Sequence, residues 1–150
     1  MGPEMRLTRA VFLALTAVLI LLAPGCGKKV WPEPDAREDI FFWGDVDFMF
    51  EDGCLNISAI LEGASGNLSR IELELEFADQ TCPSCPFVAH RTSPLELDSP
   101  QVWRNQNRVR IKYCQIPPDT PFRWRLVGKN IYEAIAPVAS QVFSPIDLET

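Results

Sequence analysis

The stretch Ile71-Glu72-Leu73-Glu74-Leu75-Glu76-Phe77 constrains the fold of this chain more than any other. Apolar and charged residues alternate without a break. A helix with 3.6 residues per turn would scatter these glutamates around its surface. A strand sends successive side chains to opposite faces, so the same residues make one dry face and one wet face. The period of two recurs. In IFFWGDVDFMF (residues 40–50) it is expected to place Ile40, Phe42, Val46, Phe48 and Phe50 on the core side. In LNISAIL it places Leu55, Ile57, Ala59 and Leu61 there. RVRIKYC buries Val109, Ile111 and Tyr113 and exposes Arg108, Arg110 and Lys112; FRWRL buries Phe122, Trp124 and Leu126 and exposes Arg123 and Arg125. PFVAH, with prolines flanking the region, reads as a short edge strand, and VASQVF as a last strand. GASGN (63–67) is a turn. The chain has 13 prolines and 8 glycines, which break up any long helical pattern. Six or seven short strands joined by Pro, Gly, Asn and Asp turns predict an all-β sandwich.

The N-terminus follows a different rule. Arg6 and Arg9 make a short positive region, and Ala10 to Ala23 is apolar except for Thr16. A membrane-spanning helix needs about 20 apolar residues, so this run is short for that task. A basic start, a short apolar core and small residues before a cut mark a secretory signal. An uncleaved anchor helix is the alternative. Initiation at Met1 or at Met5 serves equally well.

The run ends in Leu22-Ala23-Pro24-Gly25-Cys26, which resembles the lipobox of bacterial lipoproteins. The resemblance departs from the usual pattern at Ala23, where leucine is common. It implies a diacylglycerol joined to the Cys26 thiol, a cut before Cys26, and acylation of the new amine. Each buried methylene contributes about 0.8 kcal/mol, so several chains on one residue hold firmly where one holds marginally. In a Gram-negative cell, Gly27 in place of aspartate implies transport to the outer membrane. The expected organisation is a signal peptide at 1–25, a lipidated linker at 26–39, a sandwich at 40–146 and a tail at 147–150. The linker GKKVWPEPDARED is polar and semi-extended around its prolines. Removing residues 1–25 takes away Glu4, Arg6 and Arg9, which moves the net charge from −6 to −7.

The stretch IPPDTPFRWRLVGKN (116–130) resembles the corner between the fifth and sixth strands of fibronectin type III domains. Ile116, Pro118, Thr120, Phe122, Trp124, Arg125, Leu126, Gly128 and Asn130 fall in that register. The family usually has tyrosine where Phe122 stands, so the corner hydroxyl is missing. The resemblance implies that the glutamate strand neighbours FRWRL, with Glu72, Glu74 and Glu76 facing Arg123 and Arg125. Opposite-charge pairs across strands contribute roughly 0.2–1 kcal/mol each.

Five cysteines are present. With Cys26 lipidated, Cys54, Cys82, Cys85 and Cys114 remain, and an oxidising compartment favours two disulfides. Four cysteines allow three connectivities. The fibronectin-like topology implies Cys54–Cys114, because it makes their strands antiparallel neighbours. Cys82 and Cys85 then pair within TCPSCPF. The same pair could instead serve thiol–disulfide chemistry, which needs a helix N-terminus to lower a thiol pKa. No βαβ pattern surrounds it. A four-cysteine zinc site needs reduced thiolates, and haem attachment needs histidine where Pro86 stands.

The net charge of −6 disfavours nucleic acid, whose recognition needs a basic patch. His90 is the only histidine and is expected on the surface near an edge strand. The glutamate stripe lacks the loop that wraps carbonyls around Ca²⁺. Asn56-Ile57-Ser58 and Asn67-Leu68-Ser69 match the glycosylation pattern, which a bacterial lipoprotein rarely uses. Trp31, Trp43 and Trp103 are expected to pack in the core or linker, with a sugar- or protein-binding surface as the alternative. No catalytic constellation, metal site or cofactor is expected. The expected function is a non-catalytic binding or structural module in the bacterial cell envelope, held to the membrane by lipid on Cys26 and contacting an envelope protein. The alternative is a periplasmic thiol–disulfide protein using Cys82 and Cys85.

Overall fold

A computed structural model of the chain describes residues 33–35, 37–77, 85–117 and 120–145. They fall in the unit Glu33–Thr150. The expected signal peptide, Cys26, Trp31, Cys82, Pro118 and the 147–150 tail lie outside the described residues.

The strands are β1 (Phe41–Glu51), β2 (Cys54–Gly63), β3 (Leu68–Phe77), β4 (Arg91–Leu95), β5 (Val102–Asn105), β6 (Arg108–Tyr113), β7 (Phe122–Asn130) and β8 (Val138–Ala139). A 3-10 turn at Ser65–Asn67 is the one helical element among the described residues. Two four-stranded antiparallel sheets, ordered β1-β2-β6-β5 and β4-β3-β7-β8, pack as a sandwich. The all-β sandwich expected from the period of two is therefore what the chain adopts. The described residues hold eight strands rather than six or seven.

The alternation does what the sequence predicts in β2, β3, β6 and β7. Leu55, Ile57, Ala59 and Leu61 are buried, as are Ile71, Leu73 and Leu75. Val109, Ile111 and Tyr113 face them from β6, and Phe122, Trp124 and Leu126 from β7. Trp124 stacks on Phe143 at 4.7 Å between centroids and meets Phe48 edge-on at 5.2 Å. The Tyr113 hydroxyl spans the sandwich to the Ser93 hydroxyl at 2.8 Å.

Three expectations need correction. In β1 the core side chains before the bulge are Phe41 and Trp43, and Phe42 is exposed. Trp43 pairs with Leu61 and Val46 with Ala59, so two residues of β1 oppose one of β2. This bulge resolves a conflict in the sequence. An unbroken strand would put Phe41 and Trp43 on the same face as Asp45 and Asp47. The extra residue flips the parity, which turns Phe41, Trp43, Val46, Phe48 and Phe50 inward and both aspartates outward. Second, PFVAH is not a strand. The edge strand is the next segment, β4, where Pro94 sits on the outer strand of its sheet and is tolerated there. Third, the last strand is cut to Val138–Ala139, with an isolated bridge joining Phe143 to Trp124.

The β1–β2 turn is Asp52-Gly53, with φ of 51° and 73°. Two positive φ values in a two-residue hairpin match the twist of the flanking strands, and Asp-Gly meets that demand at low cost. This turn sets Glu51 opposite Cys54. At the end of the expected linker the Glu38 and Asp39 N–H groups donate to the Asp35 carbonyl, and the Asp39 carbonyl accepts from Asn130 Nδ2 at 2.8 Å and Asn67 Nδ2 at 3.0 Å. Asn130 thereby anchors the entry of the chain into β1.

Candidate functional site

The two outer faces of the sandwich differ in charge. On the β3–β7 face the register brings Glu72, Glu74 and Glu76 beside β7. Glu76 pairs with Arg123, Glu74 with Arg125 at 2.6 Å, and Glu72 with Lys129. The expected cross-strand ladder is present, and Lys129 extends it. Arg123 also donates from Nη1 to the Cys85 carbonyl at 3.0 Å, which draws the 85–87 segment over this face. The Phe87 ring lies 4.9 Å from the Arg125 guanidinium carbon. This face is neutralised and partly covered.

Cys54 and Cys114 form a disulfide, as the topology implied. The register pairs Leu55 with Tyr113, so Cys54, the first residue of β2, meets Cys114, the residue just past β6. Cys85 is also disulfide-bonded. Neither Cys54 nor Cys114 is its partner, since those two hold each other. His90 is exposed, and its Nδ1 accepts the Phe77 backbone N–H at 3.3 Å. Trp43 is half-buried and donates from Nε1 to the Val138 carbonyl at 2.9 Å, so it packs as expected.

Trp103 does not. It is 49% exposed on β5, an element that the sequence pattern did not announce. It flanks a groove of about 430 Å³ on the outer face of the β1-β2-β6-β5 sheet. The registers define its plan. One row runs Asp47, Ser58, Arg110, Trp103 across the four strands; the next runs Met49, Asn56, Lys112. Met49 is 52% exposed at the β1 edge. The short side chains of Asn56 and Ser58 form the floor between the taller Met49 and Trp103. A concavity of a few hundred Å³ with apolar walls and a few placed polar groups is the usual form of a binding site. The Arg110 guanidinium carbon sits 5.1 Å from the Trp103 ring centroid, a cation–π contact that orients both side chains.

The strand beneath this groove carries unbalanced charge. Arg108, Arg110 and Lys112 all project outward from β6 and are exposed. Among the described residues none of them is in an ion pair, whereas the β7 cations Arg123, Arg125 and Lys129 each have a glutamate. Asp47, the acid in the Arg110 row, lies two strands away, roughly 9–10 Å by strand spacing. The sequence showed the basic stripe but not its neighbours. With β5 unseen, nothing placed Trp103 beside Arg110.

Compared with known proteins, the chain matches no family model, no curated protein and no solved structure.

Proposed function

We propose that the protein is a cell-envelope lipoprotein: a non-catalytic binding module, anchored by lipid on Cys26, that engages another envelope component through the Met49–Trp103 groove. The lipobox-like run ending in Cys26 supports the anchor. The observation that carries the binding role is the pairing of exposed apolar walls with cations that have no acidic partner among the described residues. Exposed aromatic and arginine side chains in a concavity are the usual anchors of protein interfaces. The Cys54–Cys114 bond closes the end of the β2–β6 pair that floors the groove, which stiffens it and lowers the ordering cost of binding.

The test is photo-crosslinking in living cells. A photoreactive residue at position 103 or 49 is expected to give a discrete higher-mass adduct. The same residue at Thr92, exposed on the edge of the opposite sheet, is expected to give none. Equal adducts at all three positions, or none, contradict the proposal.

A further inference from the structure

We infer that the groove takes an extended, acidic polypeptide segment, with carboxylates at alternate positions set against β6. This rests on the groove being the binding site. Three observations lead to it. The cations of β6 are unpaired among the described residues while the equivalent cations of β7 are all neutralised. In a chain of net charge −6, an uncompensated basic strand is a local reversal of the overall balance, and it attracts negative charge.

The second observation is spacing. Arg108, Arg110 and Lys112 occupy alternate positions of one strand. Such positions recur every 6.6 to 6.8 Å or so. An extended polypeptide has the same repeat, so carboxylates at its own alternate positions meet the cations in step. Third, the walls are apolar. Met49 and Trp103 stand on either side of the floor and offer contact surface to the flanks of the segment, and Trp103 already holds Arg110 in place.

A bilayer surface fits less well. It presents a plane, which leaves the Asn56–Ser58 floor between Met49 and Trp103 unfilled.

The experiment uses the full chain in detergent micelles and a fluorescein-labelled peptide of four Glu-Leu repeats, read by fluorescence anisotropy. The control peptide has glutamine for every glutamate. Saturable binding to the Glu-Leu peptide is expected, about tenfold or more weaker for the control and for the Arg110→Gln/Lys112→Gln variant, as the loss of charged hydrogen bonds implies. Trp103→Ala is expected to weaken binding and Trp103→Tyr to retain it. Circular dichroism of each variant checks the fold. Equal affinity for the glutamine peptide, unchanged affinity in the charge-removed variant, or preference for phosphatidylglycerol vesicles overturns the inference. If the peptide fails while position 103 still crosslinks in cells, the ligand class falls and the binding site stands. If both fail, the site falls too.

Discussion

The Phe41 ring fills the space in front of Gly128, so a Cβ at that glycine would lie 2.7 Å from Phe41 Cε2 and Cζ. The two residues belong to opposite sheets, β1 and β7. Phe41 is fully buried, and its ring has nowhere else to go in a close-packed core. Gly128→Ala is therefore expected to destabilise by about 1–3 kcal/mol through overpacking. Phe41→Leu is expected to cost less in the Gly128→Ala background than in the wild type. A double-mutant cycle in urea measures this coupling; strict additivity would contradict the contact.

The charge ladder predicts a gradient. The Glu76 and Arg123 side chains are 11% and 13% exposed, whereas Glu72 and Lys129 are 17% and 42% exposed. Desolvated charged hydrogen bonds contribute more than exposed ones, about 1.5–3 against 0–1 kcal/mol. Glu76→Gln is expected to lower the urea midpoint most, Glu74→Gln less and Glu72→Gln least. High salt is expected to weaken the Glu72 effect first.

The Cys54–Cys114 bond joins residues 60 positions apart. On the chain-entropy account, closing a loop of that length contributes about 4 kcal/mol. The Cys54→Ala/Cys114→Ala variant is expected to lose roughly that much in chemical denaturation. A non-reducing peptide map is expected to link these two residues; a link from Cys54 to Cys85 would contradict the β2–β6 register.

These features were legible in the sequence to different degrees, for physical reasons. β2, β3, β6 and β7 alternate cleanly because each has one core face and one solvent face. Their pattern, with the corner motif from Ile116 to Asn130, was enough to place the glutamate ladder and the long-range disulfide. β1 misled because its bulge changes parity in mid-strand, and Gly44-Asp45 alone does not announce the extra residue. β4 and β5 misled because edge strands are short and carry mixed side chains; Arg91-Thr92-Ser93-Pro94-Leu95 has almost no period to read. The groove was invisible for the same reason. Its cations come from a strand that was read correctly, but its Trp103 wall comes from one that was not.

The pair Cys82 and Cys85 separates the binding module from a thiol–disulfide protein. As a structural bond it is expected to give no insulin-reduction activity above that of a Cys82→Ser/Cys85→Ser variant. That variant is also expected to keep its crosslinks at position 103. Catalytic turnover lost on substitution would instead establish redox chemistry at Cys85.

The membrane anchor is the claim on which the proposed role depends most. Cells fed labelled palmitate are expected to incorporate label into the wild-type chain and not into the Cys26→Ser variant, which should keep its leader and its full mass. An unlabelled wild-type product, or equal labelling of Cys26→Ser, would contradict the account.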